Sequence, residues 1–143
     1  MLPVIFLVIS AILVISVLIA LVRAKIDWLA RGAGLLCLAP TAWFTLFYAF
    51  VVRAYLVLGY WPSPYYPDPK DLGFTVHHVA IWLSFPVLIA SVVVCALMLL
   101  RLMPRYRRDK WLWASGLAYL VTLSLWGIVV TTDPGRFVEW FLD

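Results

Sequence analysis

The only two histidines of the chain, His77 and His78, are adjacent, and the carboxylates Asp68 and Asp71 precede them closely. Imidazole and carboxylate groups are common metal ligands and proton carriers. Neighbouring residues of a helix point about 100° apart, so the two rings do not converge on one ion. A haem held by two histidines takes them from opposite faces. We therefore predict no cofactor for this chain alone, because haem or metal at His77, His78 and Asp71 would need ligands from a second chain.

Arg53 is a second candidate, because it lies inside the apolar run "AFVVRAYLVLGYW". A charge at the centre of a membrane-spanning helix costs about 2.5–3.5 kcal/mol and usually has a partner or a function. Arg53 precedes Tyr60 by about seven residues, or roughly 10 Å of helix, from where its side chain can reach the headgroups. Two interpretations stay open. In the first, Arg53 snorkels to the outer headgroups or pairs with a carboxylate such as Glu139 or Asp71. In the second, it binds a lipid phosphate or an anionic partner.

Other catalytic patterns are absent from the sequence. It contains no GxSxG element and no glycine-rich phosphate loop. No acidic residue lies deep in an apolar run, which argues against proton-coupled antiport through an embedded carboxylate. Cys37 and Cys95 lie in apolar runs and form neither a CxxC pair nor a metal-ligand spacing. We interpret both as small buried apolar side chains, so thiol-redox chemistry is not expected.

The composition indicates a membrane protein. Of the 143 residues, 66% are hydrophobic and 13% are charged, against about 45–50% and about 25% in soluble domains. A chain this short cannot bury so much apolar surface in a water-facing fold. The net charge of +4 comes from basic residues in short loops beside the apolar runs. The expected partners are therefore anionic lipid headgroups, and no nucleic acid is expected.

Four apolar segments are long enough to cross a bilayer as helices, which takes about 20 residues each. They span residues 2–22, 33–60, 76–100 and 111–131. The first segment has no charged side chain before it and basic residues after it, so it is predicted to be a retained anchor and not a signal peptide. The fold class is thus an all-α polytopic membrane protein, with residues 1–143 forming one four-helix transmembrane domain.

The loops predict an orientation. Loops 23–31 and 101–110 carry eight basic residues, whereas the other side of the membrane carries only Lys70 and Arg136. Because loops rich in lysine and arginine stay in the cytoplasm, these two loops are predicted to be cytoplasmic at the cell (inner) membrane. Both termini and the loop 61–75 then face outward. The eight residues are Arg23, Lys25, Arg31, Arg101, Arg105, Arg107, Arg108 and Lys110.

Two segments are predicted to form one outer surface. The loop 61–75 contains four prolines, which stiffen it, and aromatic residues suited to headgroup depth. In the segment 132–143, Asp133 is a plausible N-cap for a short interfacial helix from Pro134. Its residues Phe137, Trp140 and Phe141 are expected to face the lipid, with Arg136, Glu139 and Asp143 toward water. The candidate partner- or lipid-binding residues are Arg53, Tyr60, Trp61, Tyr65, Tyr66, His77, His78, Glu139 and Trp140.

Three functions remain open from the sequence. The leading hypothesis is a non-catalytic accessory subunit of a larger membrane complex, or a homo-oligomer, whose aromatic outer surface holds a partner or lipid. The alternative is a membrane enzyme or cofactor-binding subunit with an outer site at Arg53, His77 and His78 that acts on a lipid, quinone or metal. A small channel or transporter is the third hypothesis, with the least support because the spans contain so few polar groups.

Overall fold

A computed structural model describes residues 2–23, 28–97, 100, 104 and 110–142. Most of the basic loop 101–110 lies outside these residues, as do residues 24–27 and Asp143. Within the described residues all regular elements are helices, which confirms the predicted all-α class. They are α1 (Leu2–Arg23), α2 (Trp28–Leu36), α3 (Ala39–Leu58), α4 (Thr75–Leu97), α5 (Lys110–Thr132) and α6 (Phe137–Leu142).

Three apolar helical segments of the described chain are long enough to cross a membrane. They are Gly34–Leu58, Thr75–Leu97 and Trp113–Thr132, and they match the second, third and fourth predicted spans. The chain is therefore a helical membrane protein. The helix α1 covers the same residues as the first predicted span and ends one residue later.

The second predicted span is not one continuous helix. A turn at Cys37 and Leu38 separates α2 from α3, and Pro40 lies in the first turn of α3. Proline has no N–H to donate to the preceding turn, so a helix restarts at this position more easily than it continues. The helix α3 ends at Leu58 because Gly59 takes a φ of 78° and donates its N–H to the Tyr55 carbonyl. This left-handed end is favourable for glycine, which has no Cβ to clash.

The helix α3 lies at the centre of the bundle, in contact with α1, α4 and α5. Its buried side is aromatic. The ring of Trp43 stacks on Phe47 with centroids 4.8 Å apart and meets Trp126 of α5 edge-on at 5.9 Å. The hydroxyl of Thr45 donates to Ser10 Oγ at 3.0 Å and so links α3 to α1. Aromatic packing of this kind supplies attraction that the hydrophobic effect cannot supply between helices in lipid.

Two indole groups of this core have no hydrogen-bond partner. Among the described residues, no acceptor lies within bonding distance of the buried Nε1 atoms of Trp43 and Trp126. An N–H group without an acceptor in an apolar interior carries a desolvation cost. Here the large apolar area of the two indole rings offsets that cost.

Candidate interaction surface at the proline-rich cap

The predicted outer segments fold together into one structure, the cap, which consists of residues 59–74 and 133–142. It packs against one side of the last part of α3, where Leu56 and Val57 stay exposed. His77, in the first turn of α4, donates from Nε2 to the Leu46 carbonyl at 2.9 Å. Residues 47–58 of α3 follow this contact, and they extend about 18 Å farther at the helical rise. The cap packs on this extension, with Phe50 at its centre in contact with Phe74, Trp140 and Phe141.

The loop half of the cap is held by short-range contacts. Trp61 stacks on Tyr55 of α3 with ring centroids 4.3 Å apart. Ser63 and Tyr66 exchange two backbone hydrogen bonds of 3.2 and 3.1 Å. The Asp68 carboxylate accepts the Lys70 N–H at 2.8 Å and closes a turn typical of aspartate. The loop is therefore a fixed turn structure, as its prolines predict.

The predicted start of the C-terminal helix is wrong by three residues. Residues 133–136 form a reversal in which Asp133, Gly135 and Arg136 have positive φ values of 37°, 103° and 58°, and α6 begins at Phe137. Asp133 nevertheless satisfies the first turn of α6 from outside the helix, since its carboxylate accepts the N–H groups of Val138 and Glu139 at 2.9 and 2.8 Å. The positive end of the helix dipole also stabilises a carboxylate at this position.

The apolar face of α6 does not contact lipid, contrary to the sequence prediction. Phe137, Trp140 and Phe141 are all buried against α3 and its neighbours. The extension of α3 past the start of α4 explains the difference, because it presents aromatic rings that α6 covers. Trp140 Nε1 donates to the Pro67 carbonyl at 2.7 Å and ties α6 to the loop. Trp140 thus has a structural contact within the cap and no exposed surface for a partner.

Arg53 does not pair with Glu139 or Asp71, as one of its two interpretations expected. Its guanidinium carbon lies 3.9 Å from the centroid of the Phe74 ring, a cation–π contact. Phe74 directly precedes α4, so Arg53 lies near the start of α4 and not midway along a span. The Arg53 side chain is exposed, which leaves its charge available to solvent, lipid or a partner.

Glu139 pairs with Arg136 instead. Nε and Nη2 of Arg136 donate to the two carboxylate oxygens of Glu139, each at 2.7 Å. These bonds lower the pKa of Glu139 and raise the pKa of Arg136. Both side chains are exposed, so water screens much of the attraction.

The two histidines carry their protons on different nitrogens. The Leu46 carbonyl can only accept, so His77 has its proton on Nε2. The Trp82 Nε1–H can only donate, so His78 accepts at Nε2, at 2.8 Å. Neither Nε2 atom is open to a metal in this arrangement. The Nδ1 atom of His78 is buried, and no partner for it exists within the described part of the chain.

Two shallow pockets flank the cap. One, of about 80 Å³, is lined by Tyr65, Pro67, Asp68, Pro69 and Trp140. The other, of about 120 Å³, is lined by Pro69, Lys70, Thr75, His78 and Val79. Sites for drug-sized ligands and cofactors typically measure about 300–1,000 Å³. Over the described residues, no group of three or more His, Cys, Asp or Glu side chains is placed to hold a metal ion. Asp71 is not brought into such a group with His77 and His78.

The surface of the cap exposes a group of tyrosines. Tyr60, Tyr65 and Tyr66 have exposed fractions of 45%, 76% and 67%. Partial desolvation and, to a smaller extent, the interaction with Tyr66 raise the pKa of Tyr60. Trp61 is only partly buried and packs against the core, with ring contacts to Tyr55 and Phe137. The predicted candidates therefore divide into exposed residues that also make contacts within the cap (Arg53, Tyr60, Tyr65 and Tyr66) and residues that are at least partly buried or internally paired (Trp61, His77, His78, Glu139 and Trp140).

The interpretation of the cysteines as separate apolar side chains missed a contact. The Sγ atoms of Cys37 and Cys95 are 2.8 Å apart at the other end of the bundle. Their spacing in sequence carries no motif, but each lies near the end of a predicted span that adjoins a basic loop. Since those two spans run antiparallel, the two residues belong to the same end, and this placement was available from the sequence.

The chain was compared with protein families, curated proteins and solved structures. No family model, curated protein or solved structure matches the chain.

Proposed function

We propose that this protein is a non-catalytic subunit of a larger membrane assembly and that the cap binds a partner membrane protein. The exposed tyrosines 60, 65 and 66, held on a cap with few internal degrees of freedom, carry this proposal. Tyrosine is enriched at protein interfaces because it offers a large contact area and a polar tip at a low entropy cost. Arg53 adds an exposed charge near the same end of α3.

The internal contacts favour binding over catalysis. His77 and His78 each use Nε2 in a helix contact, and Glu139 is paired with Arg136. A general base must reach a substrate proton, and a metal ligand must offer a lone pair. Of the predicted candidates, the exposed ones are a cation and three phenols, which suit recognition.

We further propose four membrane spans, with α1 as the first. The cap and both termini face outward, and loops 23–31 and 101–110 face the cytoplasm of the cell (inner) membrane. The 22 residues of α1, most of them apolar, are long enough for a span, and α1 packs along α3 and α5. The distribution of lysine and arginine supports the orientation.

Thiol labelling on intact cells tests this orientation. The native cysteines are buried and should not react, so any labelling comes from a cysteine introduced at the exposed Ser63. An impermeant maleimide should label Ser63→Cys on intact cells and label Arg107→Cys only after permeabilisation. The reverse pattern would place the cap in the cytoplasm and would contradict the orientation.

Purification in a mild detergent tests the binding function. We expect partner chains to co-purify in fixed stoichiometry with the wild type and to be lost from the double variant Tyr65→Ala, Tyr66→Ala. The control is Leu117→Ala, an exposed residue of α5 far from the cap in sequence, which should retain the partner. A wild-type protein that purifies without any partner chain, or with only a bound lipid that the double variant loses, would contradict a protein partner.

The enzyme or cofactor alternative has one observation in its favour. His78 lines the 120 Å³ pocket, and its buried Nδ1–H, which has no acceptor within the described part of the chain, is available to donate to an oxygen of a lipid or quinone. A haem absorption band, or bound metal that His77→Ala and His78→Ala both remove, would support this alternative. Ion flux through liposomes that contain the pure protein would instead support the channel or transporter hypothesis.

A further inference from the structure

Cys37 and Cys95 meet at the end of the bundle opposite the cap. Cys37 lies in the turn between α2 and α3, and Cys95 lies in the last turn of α4. Their sulfur atoms are 2.8 Å apart, and both side chains are thiols, with exposed fractions of 3% and 0%. The chain contains no other cysteine. Any disulfide within one chain must therefore join these two residues.

We propose that Cys37 and Cys95 form an oxidation site at which a small uncharged hydroperoxide generates an intramolecular disulfide. The burial of both sulfurs limits which oxidants can reach them. Thiol–disulfide exchange with another protein requires that protein to reach a sulfur atom directly, and neither sulfur is accessible. A hydroperoxide is small and uncharged, so it can enter where a protein disulfide cannot. It oxidises thiolates to sulfenic acids, which condense with a neighbouring thiol.

The reaction balances with one molecule of hydrogen peroxide, the simplest hydroperoxide. The thiolate of one cysteine attacks a peroxide oxygen, the O–O bond breaks, and the product is a sulfenic acid. The leaving hydroxide takes the proton of that thiol and becomes water. The second sulfur then attacks the sulfenic sulfur, so that the S–S bond forms while the S–O bond breaks. The second proton leaves with this oxygen as another water. Two thiols lose two electrons in total, and the peroxide is reduced to two waters.

Cys37 lies in the turn between α2 and α3, where the chain is not in a continuous helix and can adjust to bond formation. Cys95 lies in the last turn of α4. Because the two sulfurs are in direct contact, a sulfenic acid formed on either one has the other thiol beside it to resolve it.

The disulfide would fasten the α2–α3 turn to α4. In the reduced protein the two sulfurs touch across two separate elements without a covalent link. Oxidation would therefore fix a connection that otherwise depends on packing. In the proposed topology this end faces the cytoplasm, where thiols are the resting form. Only this last point depends on the proposed function and topology.

The test uses the full-length protein in detergent, first reduced and then treated with hydrogen peroxide. After denaturation with a maleimide mass tag, the reduced protein should gain two tags and the peroxide-treated protein none. Its intact mass should fall by about 2 Da, the two hydrogens lost when a disulfide forms. A peptide that joins Cys37 to Cys95 should appear after proteolysis. Two tags after peroxide treatment, or disulfides that link separate chains only, would overturn the proposal.

Two single-cysteine variants test the intramolecular bond. Cys37→Ser and Cys95→Ser should each stop at a sulfenic acid, which dimedone traps, and neither should lose two hydrogens. Thr122→Val removes a hydroxyl of α5 that bonds the Ala118 carbonyl; it is the control and should form the disulfide as the wild type does. A loss of two hydrogens in either single-cysteine variant would overturn the proposal.

Discussion

The helices α3 and α4 are both long and apolar, yet they differ sharply in their surroundings. The segment Gly34–Leu58 contains α3. In its most apolar stretch of 18 residues 56% are buried, whereas in that of Thr75–Leu97, which contains α4, 22% are buried. The less buried segment has the higher mean hydropathy, 2.5 against 1.9. In a membrane the surrounding lipid is as apolar as the interior, so hydropathy does not separate inside from outside. Side-chain type separates the buried helix from the exposed one here, because α3 is rich in aromatic residues and α4 in branched aliphatic ones.

Removal of the central ring of α3 should give the largest effect. Phe50 is fully buried and contacts Phe74, Trp140 and Phe141. We expect Phe50→Ala to lower the free energy of unfolding by about 3–5 kcal/mol, because a cavity of ring size opens where α3 meets the cap. A thiol-reactive dye can follow thermal unfolding in detergent, since both native thiols are buried.

The matched variant on the other helix is Leu83→Ala, an exposed side chain of α4. It should change the free energy of unfolding by less than about 0.5 kcal/mol. A comparable loss in both variants would mean that α4 is covered by protein in the native assembly or that the difference in burial has no energetic weight.

A methyl group at Gly135 should give the second largest effect. The φ of Gly135 is 103°, and an added Cβ would lie 2.6 Å from Cε2 of Phe137. We expect Gly135→Ala to cost about 2–3 kcal/mol, since the backbone strain and the displacement of a buried ring add together. Limited proteolysis of the cap and thermal unfolding both measure this loss.

The control for this change is Gly127→Ala in α5. Apart from its chain neighbours and the local helix backbone, no atom of the described residues lies within 4 Å of the added Cβ. Alanine in the interior of a helix is favourable by about 0.5–1 kcal/mol relative to glycine. Gly127→Ala should thus be neutral or slightly stabilising. Equal behaviour of the two variants would contradict the left-handed turn that positions α6.

The loss of one hydrogen bond should give an intermediate effect. Trp140→Phe keeps an aromatic ring but leaves the Pro67 carbonyl without its 2.7 Å partner. We expect a cost of about 1–2 kcal/mol for the unsatisfied carbonyl at this partly buried site. The same change at the exposed Trp82, whose Nε1–H bonds His78, should cost less. A larger loss at Trp82 would invert the expected order of the two regions.

The smallest expected effect concerns pH. The pKa of Glu139 is lowered by its bonds to Arg136, so the pair stabilises the fold above the unfolded pKa of glutamate, about 4.3. That stability is lost as the pH falls through the lower, folded pKa. Between pH 6 and 3 the unfolding temperature of the wild type should decline slightly more than that of Glu139→Gln. Identical profiles would show that solvent screening removes the contribution.

The sequence predicted the class of fold and most helix boundaries, because long apolar runs and loop composition reflect membrane crossing directly. It did not predict the break at Cys37 and Leu38 or the delayed start of α6. Proline and aspartate mark such places without deciding between a kink, a turn and a cap. The burial of α6 depends on how far α3 extends past α4, which is a tertiary property. The contact between Cys37 and Cys95 likewise requires the antiparallel register of two helices, which no local pattern encodes.

The two unpartnered indoles of the core have a consequence for hydrogen–deuterium exchange. Slow exchange of an N–H proton is normally taken as a sign that it is hydrogen-bonded. The Nε1 protons of Trp43 and Trp126 have no acceptor among the described residues, yet they are shielded from solvent. They should exchange slowly because deuterium oxide does not reach them, and their exchange rates would therefore report the dryness of the interior.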